Sequence, residues 1–202
     1  MLIFNFKSRG FFIFAAALWV IVVMSGFRVL LDYQSTAGKL GHPPRQWPVE
    51  SALKLDLDHL TLLMLVHPHC PCSRASIREL EQILTHARNR AAAYVLFTQF
   101  NGFSEQWLKT DLWENAEKIP GVRVLSDPGG IEAMRFKAET SGEVLLYAPS
   151  GKLLFTGGIT ESRGHEGDNA GRRAVLSLLF NPNNQNIQHL VFGCPLFTQH
   201  RS

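Results

Sequence analysis

The sequence predicts a mixed α/β domain, with a sheet covered by helices on both faces, preceded by one membrane-spanning helix. Three observations lead to this prediction: an uncharged apolar segment near the N-terminus, alternating strand and helix patterns after it, and a hairpin pattern followed by a closing helix. The chain has 202 residues, enough for one domain of ordinary size with appendages. A large multidomain enzyme is therefore excluded.

The composition narrows the class of protein further. Charged residues make up 18% of the chain and apolar residues 46%, which excludes a disordered chain and is typical of a protein with a membrane segment. The formal net charge of +3 is small and scattered, so we expect no nucleic-acid partner. Three cysteines are too few for a disulfide scaffold.

The apolar segment runs from Gly10 to Phe27 without a charged residue. As a helix it would reach roughly 27 Å, which is close to one hydrocarbon thickness. Lys7 and Arg9 precede it, so the positive-inside rule favours a cytoplasmic N-terminus at residues 1–9 and a transmembrane anchor at residues 10–31. We predict a single-pass protein of the inner membrane with its remaining residues in the periplasm. A cleaved signal peptide is the alternative, although the segment is long for one and no A-x-A site follows.

Residues 32–52 have the composition of a linker, with two glycines and the stiff pair Pro43-Pro44. The predicted domain occupies residues 53–184. It opens with an edge strand, because apolar and charged residues alternate at Leu53, Leu55 and Leu57. A central strand covered on both faces follows at Leu60–Val66, which is continuously apolar.

The elements after the central strand alternate between helix and strand before a hairpin and a last helix. Helices are predicted near residues 71–88, 104–112, 131–136 and 169–180, and strands near 92–97, 122–125, 144–147 and 153–155. Parallel βαβ units that lead into an antiparallel hairpin and a closing helix are typical of a thioredoxin-like domain. Residues 185–202 form a C-terminal tail that contains Cys194.

The turn between the central strand and the next helix reads Cys70-Pro71-Cys72. Proline is accepted in the first turn of a helix, which places Cys70 near the N-cap and Cys72 in the first turn. There the unpaired N–H groups and the helix dipole stabilise a thiolate, and a protonated His67 or His69 would lower a cysteine pKa further. An exposed turn of this kind predicts thiol–disulfide chemistry, with Cys70 as the nucleophile and Cys72 as the resolving thiol.

Two disulfide pairings remain open for these cysteines. A Cys70–Cys72 bond is within reach, but its small ring would be strained and therefore easily reduced. Alternatively, one of the two pairs with Cys194, which would otherwise be a free buried thiol.

Copper binding is the alternative use of the same residues. His67, His69, Cys70 and Cys72 lie close together in the chain, and their soft sulfur and imidazole ligands suit Cu(I). His165 would complete this set in a copper chaperone. The redox function itself needs no cofactor.

A glycine-rich polar loop spans residues 157–173, before the last helix. Asp168 or Asn169 is expected to cap that helix. Arg163 and His165 are either solvated loop residues or lie over the end of the sheet towards Cys70. In the second case they would act as a proton relay, a thiolate partner or a metal ligand.

Five segments after the anchor have distinctive sequences: LVHPHCPCSRAS, SDPGG, TSGEVLLYAPSGKLLFTGGIT, SRGHEGDNAGR and VFGCPL. Together with the anchor they resemble the RedB family of membrane-anchored thioredoxin-like proteins, over most of residues 60–196. The resemblance implies a thioredoxin fold and redox activity outside the cytoplasm. The expected partners are protein thiols or disulfides, together with the membrane that holds the N-terminal helix.

Two features depart from ordinary thioredoxins. The usual Cys-x-x-Cys motif is replaced by Cys70-x-Cys72, so His69 stands where a thioredoxin carries its attacking cysteine. Ser141 stands where thioredoxins have a cis-proline, and a serine there could hydrogen-bond a thiolate and removes a guard against metal binding. The candidate catalytic residues are Cys70, Cys72, His69, His165, Arg163 and Ser141.

Overall fold

The structure is a computed structural model that describes residues 6–100, 102–182 and 186–197. It has two compact units, Met1–Thr36 and Ala37–Ser202. Among its described residues, the first unit contains helix α1, Phe6–Ser35. Its part Arg9–Ser35, with a mean hydropathy of 2.3, is long and apolar enough to cross a membrane. The predicted anchor at residues 10–31 lies inside this candidate span.

The second unit is a six-stranded mixed sheet with flanking helices. In chain order its elements are β1 Leu60–Val66, α2 Ser73–Ala87, β2 Ala91–Gln99, α3 Glu105–Leu108, α4 Asp111–Glu117, β3 Val122–Pro128, α5 Ile131–Arg135, β4 Glu143–Tyr147, β5 Leu153–Gly157, α6 Ala170–Phe180 and β6 Ile187–Gln188. The strand order is β3-β2-β1-β4-β5-β6. Strands β1, β2 and β3 are parallel, β4 is antiparallel to β1 and β5, and β6 is parallel to β5. This is the thioredoxin-like mixed α/β fold that the sequence predicts.

Strand β1 lies in the middle of the sheet and is buried on both faces, as its continuous apolar sequence predicts. Leu62 and Met64 belong to a core cluster completed by helices α2, α4 and α6. Leu63 and Leu65 belong to a second cluster, on the opposite face, that includes residues of α5. Packing on both faces fixes the C-terminal end of β1, and the cysteine turn starts from that end.

The prediction of an edge strand at residues 53–57 is wrong. The Asp56 carboxylate accepts hydrogen bonds from the backbone N–H groups of Asp58 and His59, at 2.9 and 2.8 Å, and this turns the chain. Leu53 is buried in the second core cluster, whereas Leu57 is 76% exposed. Local side-chain capping of the backbone therefore overrides the alternating pattern.

The compact domain begins earlier than residue 53, because part of the predicted linker packs on the sheet. The Trp47 N–H donates to the Gly151 carbonyl at 2.8 Å, and the Tyr147 hydroxyl donates to the Pro44 carbonyl at 3.0 Å. The second unit accordingly starts at Ala37. A proline-rich extended segment has no periodicity that would distinguish such packing from a free linker.

The helix predicted after Ser104 is divided into α3 and α4. At the break, the Thr110 hydroxyl donates to the Pro68 carbonyl at 3.0 Å, which ties this connection to the cysteine turn. Helix α6 begins after Asn169, whose side chain accepts a hydrogen bond from the Arg172 N–H at 2.7 Å. Asn169 is therefore the cap of the last helix.

Candidate functional site

Three sulfur atoms from two distant parts of the chain meet at the end of β1. Cys70 and Cys72 lie in the turn between β1 and α2, and Cys194 comes from the C-terminal segment. The three Sγ atoms all lie within 4.8 Å of one another, and all three cysteines are free. The Cys194 backbone N–H also donates to Cys70 Sγ, at 3.4 Å.

The expected exposure of the Cys-Pro-Cys turn is wrong for the side chains that matter. Cys70 is only 1% exposed and Cys72 only 6%, whereas Cys194 is half-buried. The C-terminal segment covers the turn, held by a hydrogen bond of 2.8 Å from the Ser141 N–H to the Cys194 carbonyl. The sequence does not reveal this cover because the tail lies more than a hundred residues away from the turn.

Helix α2 begins at Ser73, with Cys72 as its N-cap. Each cysteine therefore stands earlier, relative to the helix, than the sequence predicts: Cys70 precedes the cap and Cys72 occupies it. The Ser73 N–H donates to the Cys70 carbonyl at 3.1 Å, so the N-terminus of the helix lies directly beside the sulfur cluster. The partial positive charge at this end of α2 favours a thiolate.

Two buried hydroxyl groups link the backbone of the turn to Cys70. Ser141 Oγ accepts a hydrogen bond from the His67 N–H at 2.7 Å and lies 2.7 Å from Ser73 Oγ. The Ser73 hydroxyl in turn hydrogen-bonds the Cys70 sulfur. Because a hydroxyl has a single hydrogen, a Ser73 hydroxyl that donates to the Cys70 thiolate must accept from Ser141, so Ser141 is then the donor of the bond between the two serines. Ser141 thus orients the group that contacts the sulfur.

The three thiols have very different affinities for a proton. Hydrogen bonds from the Cys194 thiol, the Cys72 thiol and the Ser73 hydroxyl hold the pKa of Cys70 far below its usual range, against the effect of burial. The pKa of Cys194 is raised because it donates to Cys70 and Cys72 and is partly buried. For Cys72, the bond from Cys194 lowers the pKa, but its bond to Cys70, burial and the neighbouring charge together raise it. These effects favour the thiolate form at Cys70 and the protonated form at Cys72 and Cys194.

His67, one of the two histidines beside the turn, does not supply the predicted positive charge. Burial lowers the pKa of His67, against the smaller opposite effect of the Cys70 thiolate, so the imidazole is neutral at neutral pH. The exposed His69 ring has Nε2 at 3.0 Å from the Trp107 carbonyl oxygen, and its ring centre lies 4.5 Å from that of Trp107. The stabilising groups around Cys70 are thus hydrogen-bond donors and the helix N-terminus.

The glycine-rich loop brings Arg163 to the cluster. Its guanidinium donates to the Gly193 carbonyl at 2.5 Å and hydrogen-bonds the Cys72 thiol, which lowers the pKa of that thiol. His165 is exposed, with Nδ1 at 3.0 Å from the Arg163 carbonyl oxygen. Arg163 therefore touches both cysteine-bearing segments, while the described contact of His165 is to the loop itself.

A buried carboxylate that sequence analysis did not single out holds this loop in place. Glu79 of α2 is 2% exposed and accepts hydrogen bonds from the Gly167 N–H at 2.6 Å and from Arg172 at 2.8 Å. The sequence could have indicated this role, because Glu79 lies beside Leu80 on the apolar face of α2. An unpaired carboxylate buried there would destabilise the fold, so a partner for Glu79 is expected. Glu79 connects α2, α6 and the loop that carries Arg163.

The comparisons with known proteins concern the fold. No family model and no curated protein sequence matches the chain. Two solved structures resemble it over most of its length. One is an uncharacterized conserved protein from Geobacillus kaustophilus, 17% identical with a TM-score of 0.56 over 83% of this chain and 95% of that one. The other is a hypothetical protein from Sinorhizobium meliloti, 18% identical with a TM-score of 0.57 over 81% of this chain and 96% of that one.

A more distant likeness is to the exposed lipoprotein thioredoxin of Streptococcus pneumoniae, 19% identical with a TM-score of 0.45 over 61% of this chain and 84% of that one. At these identities a similarity extends to the fold and not to the activity. By its strand order β3-β2-β1-β4-β5-β6 and its flanking helices, the second unit of this chain is a thioredoxin-like α/β domain, with its three cysteines gathered at the end of the central strand.

Proposed function

We propose that the protein is a membrane-anchored thiol–disulfide oxidoreductase of the RedB type that acts on protein thiols or disulfides in the periplasm. The observation that carries this proposal is the cluster of Cys70, Cys72 and Cys194. A thiolate is the form of cysteine that attacks a disulfide and also the form that leaves one. A cluster with one stabilised thiolate and two neighbouring thiols contains the groups that disulfide exchange requires.

The surroundings of Cys70 argue against a merely structural role. Burial among apolar side chains raises a thiol pKa and makes the residue inert. Around Cys70, by contrast, Ser73, Cys72 and both the thiol and the N–H of Cys194 donate hydrogen bonds. Stabilising the thiolate stabilises the reduced protein, which makes its disulfide a stronger oxidant. The favoured direction is therefore oxidation of protein dithiols.

The candidate span in α1 supports the cellular location. Lys7 and Arg9 lie at its N-terminal end, which favours a cytoplasmic N-terminus. The domain that carries the cysteines would then lie in the oxidising periplasm, where thiol–disulfide exchange can proceed.

A redox titration of the full-length protein in mild detergent tests this function. The protein is equilibrated with glutathione buffers of increasing potential, treated with a maleimide, and its free thiols are counted by intact mass. We expect one transition, from three free thiols to one, at a potential above about −300 mV, the upper range for structural disulfides. Three free thiols in every buffer would refute the proposal.

A second candidate function, Cu(I) delivery, is favoured by the same three sulfur atoms. Three thiolates bound to one ion at about 2.3 Å lie about 4 Å apart, and the Sγ atoms lie within 4.8 Å of one another. Cys70, Cys72 and Cys194 would hold the ion, and soft sulfur ligands suit Cu(I). His69 and His165 make their described contacts with backbone carbonyls, so the geometry favours sulfur over the histidines.

Competition with a chromogenic Cu(I) chelator distinguishes the two candidates. Copper delivery predicts one retained ion per reduced chain, loss of that ion in Cys194→Ser, and no change in His69→Ala. Complete transfer of copper to the chelator by the wild-type chain would refute this function.

A further inference from the structure

We propose that Cys194 is the sulfur that exchanges with the protein substrate, and that Cys70 is the internal partner with which it forms a disulfide. This inference rests on the proposed disulfide exchange and assigns the steps of that reaction to particular residues. It reverses the order expected from the helix position alone, in which Cys70 meets the substrate first.

Access to the three sulfurs is the first argument. In thiol–disulfide exchange the external sulfur must approach the attacked sulfur directly. Cys70 and Cys72 are 1% and 6% exposed, whereas Cys194 is half-buried and is followed by the exposed Pro195. Cys194 is therefore the most exposed residue of the cluster, which favours its sulfur as the one that an incoming protein sulfur meets.

The second argument is that the C-terminal segment around Cys194 packs closely over Cys70. A small movement of this segment would therefore leave Cys70 covered. The Cys194 carbonyl accepts from the Ser141 N–H at 2.8 Å, and Arg163 donates to the Gly193 carbonyl. Gly193 packs so closely on Ser141 that an added Cβ would lie 1.9 Å from the Ser141 carbonyl oxygen. The segment is a fitted part of the site, which places Cys194 between Cys70 and solvent.

The choice of Cys70 over Cys72 as internal partner follows from backbone geometry. A Cys70–Cys72 bond would close a small ring across Pro71 and distort the start of α2, where the Ser73 N–H bonds the Cys70 carbonyl. Cys194 is 124 positions away in sequence, and its N–H already contacts Cys70 Sγ at 3.4 Å. A Cys70–Cys194 bond would join two sulfur atoms that already lie within 4.8 Å of one another, and neither residue lies inside α2.

The oxidising reaction starts from the form with a Cys70–Cys194 disulfide. A substrate thiolate attacks Cys194 Sγ, the internal S–S bond breaks, and Cys70 leaves with the electron pair as a thiolate. The Ser73 hydroxyl and the N-terminus of α2 stabilise that leaving group. The product of this step is a mixed disulfide between Cys194 and the substrate.

The second step completes the transfer of two electrons. Another substrate thiolate attacks the substrate sulfur of the mixed disulfide, and Cys194 leaves and takes up a proton given up by the substrate thiols. The substrate gains a disulfide, the protein is left with the Cys70 thiolate and the Cys194 thiol, and the second substrate proton goes to solvent. In the return step Cys194 passes its proton to the Cys70 thiolate and attacks a disulfide of an oxidising donor protein, which forms a mixed disulfide. Cys70 then gives up that proton and attacks Cys194 Sγ, and the donor leaves as a dithiol after taking one further proton from solvent.

Trapping of the mixed disulfide tests these roles. The reduced full-length protein and its Cys70→Ser, Cys72→Ser and Cys194→Ser variants are incubated with glutathione disulfide, and the adducts are located by peptide mass spectrometry. Cys70→Ser should accumulate glutathione on Cys194 at least tenfold above wild type, because the internal partner that removes the adduct is missing. Cys72→Ser keeps both Cys70 and Cys194, so its adduct on Cys194 should be removed by Cys70 and should not accumulate as in Cys70→Ser. Cys194→Ser should react at least tenfold more slowly.

Peptide mapping of the oxidised wild-type chain provides a second measurement that needs no variant. A Cys70–Cys194 bridge with Cys72 free is expected. Glutathione on Cys70 or Cys72 in preference to Cys194, or a Cys70–Cys72 bridge, would overturn the inference and leave the proposed function intact. If the wild-type chain forms neither an adduct nor a bridge, the proposed function itself fails.

Discussion

Replacing Cys70 by serine should remove a pH dependence from the stability of the reduced protein. The pKa of Cys70 lies far below its usual range in the folded state, whereas in the unfolded chain it returns to about 8.5. Below that pH the unfolded state binds one more proton than the folded state, so the free energy of unfolding rises with pH. This stabilisation is fully present above the unfolded pKa and is lost as the pH falls towards the folded pKa.

The magnitude follows from the linkage relation. One proton difference gives a slope of about 1.4 kcal/mol per pH unit, and so about 2.5 kcal/mol between about pH 6 and about pH 8. Urea unfolding of the full-length chain in detergent, with a phosphine reductant, measures this quantity for the wild type and Cys70→Ser. The contributions of titrating groups outside the cysteine cluster cancel in the difference between the two proteins.

Cys72→Ser is the matched control, because it removes a neighbouring sulfur and keeps the Cys70 thiolate. It should retain most of the wild-type slope. Parallel curves for wild type and Cys70→Ser would show that Cys70 is protonated in the folded protein, and the reasoning would be refuted.

Two further substitutions test the groups around the cluster. Ser73→Ala removes a donor to the Cys70 thiolate, a bond worth about 1.5–3 kcal/mol, and should raise the pKa of Cys70 by about 1–2 units. The pKa shift is measured by titrating the ultraviolet absorbance of the thiolate. Ser76→Ala, on the same helix, is the control and should leave the titration unchanged. An unchanged titration in Ser73→Ala would contradict the prediction. Glu79→Ala breaks the buried ion pair with α6 and should cost about 3–5 kcal/mol in urea unfolding. As a control, Arg78→Ala removes the exposed ion pair with Glu166 and should lower the free energy of unfolding by less than about 1 kcal/mol. Equal losses of stability in Glu79→Ala and Arg78→Ala would show that Glu79 does not hold the loop.

The sheet could be predicted from the sequence because its strands follow simple burial patterns. Leu60–Val66 is apolar throughout, and the structure confirms it as the central strand buried on both faces. The hairpin of β4 and β5 was predicted from Pro149-Ser150-Gly151-Lys152 between two apolar runs, and it is confirmed. The alternation of apolar and charged residues at 53–57 also predicts a strand, but in the structure Asp56 caps a local turn there and these residues form no strand.

The composition of the site was partly visible in the sequence, but its arrangement was not. Cys70-Pro71-Cys72 identifies a turn at the start of a helix from local rules alone. The burial of that turn depends on Cys194, which is brought to it by β6 and by pairing between Thr140 and Pro195. Such pairing over a long sequence separation has no local signature, so the sequence left Cys194 as one alternative among several.

The central claim is that the reduced cluster holds one thiolate, at Cys70, at neutral pH. The ultraviolet absorbance of thiolates, compared between native wild type and Cys70→Ser under reducing conditions, measures this most directly. We predict that the wild type absorbs more than Cys70→Ser by the amount expected for one thiolate per chain. This difference in absorbance should persist until the protein is strongly acidified. Equal absorbance of the two proteins at neutral pH would contradict the claim.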